Sequence, residues 1–350
     1  MKKYFYTGSY SSSEENAINL ISLDMKSGRM QKEKGFSQIE NPSYLAINKQ
    51  NDRLYALSEC DGYGEITAYN INTEGELTKI NSVKTKGGQL CHITLNPSET
   101  LICVAGYESG TVDLFFLDET RGIGEKLFSD VHFGNGKIEG RQDCPHCHFV
   151  FFPKNRDNTF YVTDLGTDEL YRYEIDKDTV RIKSKLKIPD ADGPRHIVQS
   201  GVNEDIIYLV CEISFKIHTI RMHEDGDEII DTVSTVEDGA EYYGGAGAIR
   251  ISKDNKYLYV SNRVITPDSG LDSIARFSFD ENLLPVNKKI TKSGHHMPRD
   301  FYIFDDILVS ASQTDDKLVS YGLNADNGEI KNKLSEIKLK HPVCIIPYNK

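Results

Sequence analysis

The sequence predicts an all-β chain: a seven-bladed β-propeller of four-stranded antiparallel blades, its ring closed by N- and C-terminal strands that share one blade. Three observations predict it. A segment with a small or polar start and an aliphatic continuation recurs seven times, as PSYLAIN (42–48), LCHITLN (90–96), HCHFVFF (146–152), PRHIVQS (194–200), AGAIRIS (246–252), PRDFYIF (298–304) and PVCIIPY (342–348). Between the third residues of these copies, Tyr44, His92, His148, His196, Ala248, Asp300 and Cys344, the steps are 48, 56, 48, 52, 52 and 44 residues, the length of a propeller blade. Helical periodicity is sustained nowhere, while 19 Tyr, 15 Phe and 27 Gly supply strand formers and turns.

Two further series follow the first. RLYALSE (53–59), LICVAGY (101–107), TFYVTDL (159–165), IIYLVCE (206–212), YLYVSNR (257–263) and ILVSASQ (307–313) predict second strands; EITAYNI (65–71), TVDLFFL (111–117), ELYRYEI (169–175), KIHTIRM (216–222), SIARFSF (273–279) and KLVSYGL (317–323) predict third strands. Turn dipeptides such as Asn51-Asp52, Asp61-Gly62 and Ser109-Gly110 join them. KYFYTGS (3–9) and AINLISL (17–23) fit the second and third series, and their missing first strand is PVCIIPY at the other end of the chain. Closing the ring with both termini removes the open edges of a linear array. The reading is one domain over residues 1–350.

Composition limits the function. A formal charge of −12 opposes a nucleic-acid or anionic-membrane partner, because such binding needs a positive field. No run of 18 apolar residues and no signal-peptide core is present, which points to the cytoplasm. Seven cysteines scattered through apolar stretches fit reduced thiols rather than a disulfide framework. The glycine-rich GAEYYGGAGAI (239–249) lacks the strand-to-helix setting of a phosphate loop and reads as a flexible connection, and the acidic HEDGDEIID (223–231) as a solvated outer turn.

In a blade, the start of the first strand and the end of the second share one rim. First-strand starts place Tyr44, His92, His146, His148, Arg195, His196, Arg299 and Asp300 there; second-strand ends place Glu59, Tyr107, Asp164, Glu212, Asn262, Arg263 and Gln313. Arg195, Arg263 and Arg299 form an anion grip, since planar guanidinium forks match carboxylate or phosphate; the competing reading has them pair with Asp164, Glu212 and Asp300 to hold blades together. His148, with an ordinary pKa of about 6.5, can pass a proton at neutral pH, and Glu212 can hold it or activate water. His196 can equally brace its strand, and His146 can face a neighbouring loop.

The stretch DCPHCHFVFFP (143–153) raises a metal reading, because Cys144, His146 and His148 share a face if the segment is extended. Residues four apart in a strand lie about 13 Å apart, too far to share an ion, so the stretch reads as a polar rim and no metal is expected.

The chain resembles the lactonase-type seven-bladed propellers, which include the propeller 6-phosphogluconolactonases and the carboxymuconate-lactonising enzymes. The carriers are FYTGSY near the start, PHCH (145–148), VTDLG (162–166), GPRH (193–196), CE (211–212), LYVSNR (258–263), SIARF (273–277), MPRDF (297–301) and ASQ (311–313). The resemblance places a functional histidine in PHCH and a functional glutamate in CE. It implies hydrolysis of a small anionic sugar lactone, nominally 6-phosphogluconolactone, without a cofactor. His148, Glu212 and Arg263 are then the catalytic candidates, and His146, Arg195, His196, Arg299, Asp164 and Gln313 the substrate-binding ones. Two alternatives stand beside it: lactonisation or isomerisation of an unsaturated dicarboxylate, and a noncatalytic ligand-binding or scaffold propeller.

Overall fold

The computed structural model describes residues 1–118, 120–154, 156–237, 243–265, 270 and 272–350, and no described residue lies in a helix. Seven four-stranded antiparallel sheets form the ring. From the axis outward, the inner strands are Leu45–Ile47, Leu90–Leu95, Cys147–Phe151, Pro194–Gln199, Gly244–Ile251, Pro298–Phe304 and Pro342–Tyr348. All three predicted series are strands. The outer strands that complete the blades, such as Leu77–Thr85, Thr179–Lys187 and Ile330–Lys338, are half-buried to exposed and rich in lysine. The seventh blade is the shared one: Pro342–Tyr348 pairs antiparallel with Lys2–Ser9, from Tyr4 opposite Tyr348 to Ser9 opposite Pro342.

Among the described residues, seven apolar clusters each straddle one blade interface. Cys103, Val112 and Leu114 of the second blade, for example, pack on Val150, Phe160 and Tyr173 of the third. The strands are covered on both faces, which is why second strands such as LICVAG read as unbroken apolar runs. All seven cysteines are free.

Two segments depart from their sequence readings. Within 223–231 the outer strand Glu228–Ser234 already begins, and the Asp227 side chain is tucked in, accepting from the Tyr161 hydroxyl at 3.2 Å beside Arg172. Of the glycine-rich stretch, 239–242 lie outside the described residues, while Gly244 onward is inner strand and crowded rather than loose. A Cβ on Gly244 would stand 2.0 Å from the Arg263 carbonyl oxygen, and one on Gly247 would stand 2.5 Å from Ser261 Oγ.

Candidate active site

A repeated irregularity aims side chains at the axis. Six of the seven inner strands slip register at their start, leaving one extra residue unpaired: between Leu90 and His92, Cys147 and Phe149, Pro194 and His196, Ala246 and Ile249, Pro298 and Asp300, and Pro342 and Cys344. Such β-bulges re-aim the inserted residue. Cys91, His148, Arg195, Gly247, Arg299 and Val343 thus form one ring. The next residues inward, Tyr44, His92, Phe149, His196, Ala248, Asp300 and Cys344, form a second. The structural repeat corrects the sequence alignment by one position in the third blade, where His148 matches Arg195 and Phe149 matches His196.

A third ring comes from the residues that end the second strands. Tyr10, Glu59, Tyr107, Leu165, Glu212 and Gln313 each donate their backbone N–H to the same kind of carbonyl, that of His341, Asn41, Gln89, His146, Gly193 and Met297 respectively, at 2.7 to 3.1 Å. Arg263 holds the same place opposite Gly245.

Glu212 is the hub of this third ring. Its Oε2 accepts from Arg195 Nε at 2.7 Å and Arg263 Nη2 at 2.8 Å, and its Oε1 from Arg141 Nη2 at 2.6 Å. Gly245 makes room for it, since a Cβ there would lie 2.6 Å from Glu212 Cγ. Burial would raise the Glu212 carboxyl, but Arg263, Arg195 and Arg141 together hold it well below the ordinary carboxylate range. Burial, then the neighbouring Arg263, pushes Arg195 down to about 10. Arg195 shifts down through burial and its neighbouring guanidinium, Glu212 through the guanidiniums it accepts from, and both stay charged at neutral pH.

Counting donors shows what remains for a ligand, because a guanidinium has five N–H groups. Arg195 spends Nε on Glu212 and both Nη1 hydrogens on His196 Nε2 at 2.8 Å and Gly247 O at 3.0 Å; Nη2 has no partner among the described residues. Arg263 spends Nε and Nη2 on Gly245 O, Glu212 and Ala246 O, and its Nη1 has no partner among the described residues. Arg299 lies over the Tyr10 ring at 5.2 Å and reaches Gln313 Oε1 at only 3.5 Å. Tyr10 in turn donates to Glu59 Oε2 at 2.9 Å. Four guanidiniums therefore face two carboxylates, an excess of buried positive charge with open donor edges.

The histidines differ from their expectation. Burial first, and Arg195 next, hold His148 well below the ordinary histidine value, so it is a neutral base rather than one poised near 6.5. It is 5% exposed, and its Nδ1 has no partner. His196 is also held low by burial and Arg195; since arginine only donates, His196 Nε2 accepts and the ring proton sits on Nδ1. Tyr44, His92, Phe149 and His196 pack in sequence as tilted rings with centroids 4.4, 3.8 and 4.6 Å apart, closing the axis beneath the charged cluster. A cavity of about 610 Å³ lined by Tyr44, His92, Asn96 and Lys154 opens on the far side of that layer, away from the arginines.

His146 and Asp164 take other places. His146 stacks on Tyr107 at 4.3 Å and donates from Nδ1 to the Tyr107 carbonyl at 2.8 Å. Asp164, expected to bind substrate, is fully buried with both oxygens engaged within the protein. Its Oδ2 takes His132 Nδ1 at 2.8 Å, and its Oδ1 takes the N–H groups of His146, Gly166 and Thr167. Leu165 occupies the ring position instead. Cys144 Sγ meets His146 Nε2 at 3.8 Å, and His148 belongs to a different ring, so the three do not converge. Among the described residues, the clusters with ligand-like spacing are His132, Cys147 and Asp164, and Asp192, Cys211 and His218. Both nitrogens of each imidazole are already bonded, to Asp164 and Tyr173 and to Asp192 and Thr232, which makes these sets braces between strands.

Arg141 and Tyr10 were missed. Tyr10 lies one residue beyond the predicted strand 3–9, and stepping on by one would have found it. Arg141 sits in the long connection 132–146 after the second blade, whose length was the available signal.

The chain as a whole is similar to known proteins. The family model described as Lactonase, 7-bladed beta-propeller matches residues 4–347. The chain is 29% identical over 354 residues to the 6-phosphogluconolactonase of Bacillus subtilis (strain 168), covering 99% of this chain and 98% of that protein. A periplasmic gluconolactonase of Pseudomonas aeruginosa superposes with a TM-score of 0.92 at 20% identity, over 100% of this chain and 99% of the other. A Lactobacillus plantarum protein does so with a TM-score of 0.90 at 24% identity over 100% of both. At these identities the two structures speak for the fold alone. The family match spans all seven blades, and the chain belongs to the lactonase family of seven-bladed β-propellers.

Proposed function

We propose that this propeller hydrolyses a small anionic sugar lactone, with 6-phosphogluconolactone, the substrate named by the Bacillus subtilis relative, as the first to try. The observation that carries the reading is the open donor edges of Arg195, Arg263 and Arg299 around a carboxylate already held by guanidiniums. Donors fixed in a buried site stabilise the oxyanion of acyl transfer without reorganising.

In this mechanism the arginines receive the lactone carbonyl and its anionic group. Water attacks the carbonyl carbon as His148 takes its proton. The tetrahedral oxyanion collapses, the bond from carbonyl carbon to ring oxygen breaks, and His148 returns the proton to that oxygen. Glu212 is too firmly ionised and engaged to be the better base; it orients Arg195 and Arg263 and offsets the charge that forms on His148.

The test is proton release from a panel of phosphorylated and unphosphorylated aldonolactones. Turnover of one of them well above spontaneous opening is expected. If none is accelerated, the hydrolase reading falls.

A further inference from the structure

We infer that Arg141 is the site's specificity arm: it covers Glu212, and with substrate bound it turns to the remote phosphate of the lactone. This rests on the lactonase reading and adds to it the residue that separates phosphorylated from unphosphorylated substrates.

Arg141 differs from its neighbours in origin and exposure. Arg195, Arg263 and Arg299 rise from strand starts and ends, and the Arg195 and Arg263 side chains are 3% and 7% exposed; that of Arg141 comes from the connection 132–146 and is 34% exposed. Arg195 and Arg263 share Oε2 of Glu212 and are further tied to backbone carbonyls. Arg141 alone takes Oε1, with the Tyr107 hydroxyl beside it.

The connection itself is held. Asp164 clasps both its ends, through His132 Nδ1 and the His146 N–H, each at 2.8 Å. Its middle is pinned by Gln142, which is 1% exposed, donates to Leu165 O at 2.8 Å and accepts from the N–H groups of Lys137 and Ile138. Gly136 has no room for a Cβ, which would stand 2.6 Å from the Gln142 carboxamide. A fixed backbone that bears a long, part-exposed cation one residue from its anchor moves only the side chain. Glu212 and an incoming phosphate compete for that cation. The phosphate offers more charge and two oxygens for a bidentate fork, while Glu212 keeps Arg195 and Arg263.

The experiment is calorimetric binding of 6-phosphogluconate and of gluconate to the wild type, Arg141→Ala and Arg141→Lys, with thermal melts to show that each folds. Arg141→Ala should weaken 6-phosphogluconate by about 10- to 100-fold, the range of one charge-assisted pair, and leave gluconate within about twofold. Arg141→Lys should recover part of the loss, having charge without the fork. Equal weakening of both ligands, no weakening of either, or a wild type that binds neither would overturn the proposal. A wild type that prefers 6-phosphogluconate through Arg141 yet opens no lactone would keep the arm and sink the hydrolase reading.

Discussion

Arg195 and Glu212 meet through Nε and Oε2 at 2.7 Å, and this pair orients the rest of the site. Nε is spent on Glu212, so the bulge that carries Arg195 fixes Nη1 on His196 Nε2 and Gly247 O and leaves Nη2 without a partner among the described residues. The Nε and Nη1 edges of Arg195 are a brace; the binding role proposed above falls to the remaining Nη2 edge, so the two alternatives posed for this arginine by sequence need not exclude each other.

Arg195→Lys keeps the charge and loses the fork. Steady-state kinetics on the lactone that the panel identifies should show kcat/KM lower by on the order of 10²–10³, as for the loss of an oxyanion donor. Wild-type kinetics would reduce Arg195 to a brace.

His148→Asn should lower turnover by about 10²–10⁴ with the melting temperature little changed. Because burial and Arg195 depress the folded His148 value, the neutral base persists into acid, so the acid limb of kcat/KM should lie below the ordinary histidine pKa of about 6.5. An acid limb centred near 6.5 or higher would argue against His148 as the base.

Stability should fall with acid in the same window. His92, His148 and His196 are held well below the ordinary value, and His295 down to about 4, by burial first in every case. A depressed folded pKa means that the unfolded chain binds the proton first. The stabilisation is complete above about 6.5 and is lost as pH falls toward the folded values, by about 1.4 kcal/mol per pH unit for each histidine. Urea midpoints measured from pH 7.5 to 4.5 should drop steeply below 6.5; a flat profile would contradict the buried neutral rings.

Gly245→Ala tests the support of Glu212. The backbone at 245 tolerates alanine, yet its Cβ would stand 2.6 Å from Glu212 Cγ and 3.2 Å from Cδ. Turnover should fall more than tenfold, an order-of-magnitude expectation for a displaced catalytic contact, while stability changes by about 1 kcal/mol.

Deleting 341–350 removes the inner strand of the shared blade and opens Lys2–Ser9 along its whole edge. Insolubility or loss of a cooperative melt is expected rather than a modest decrease in stability. A soluble protein with the wild-type transition would contradict the importance of this closure.

The repeat, the three strand series, the shared blade and the residue types at the rim were legible in the sequence by itself. They rest on alternation and turn chemistry, which act over a few residues and leave their period in the chain. What only the tertiary structure decided depends on contacts between distant segments. Each bulge inserts one residue and reverses the faces that follow, so His146 and His148, two apart, part company, and Leu165 replaces Asp164 on the ring. Asp164, 0% exposed, satisfies backbone groups of two turns. Arg141 reaches Glu212 across 71 positions of sequence from a connection without alternation of its own. The neutral state of His148 follows from burial beneath Arg195, a surrounding assembled by separate blades and so not written in any local stretch.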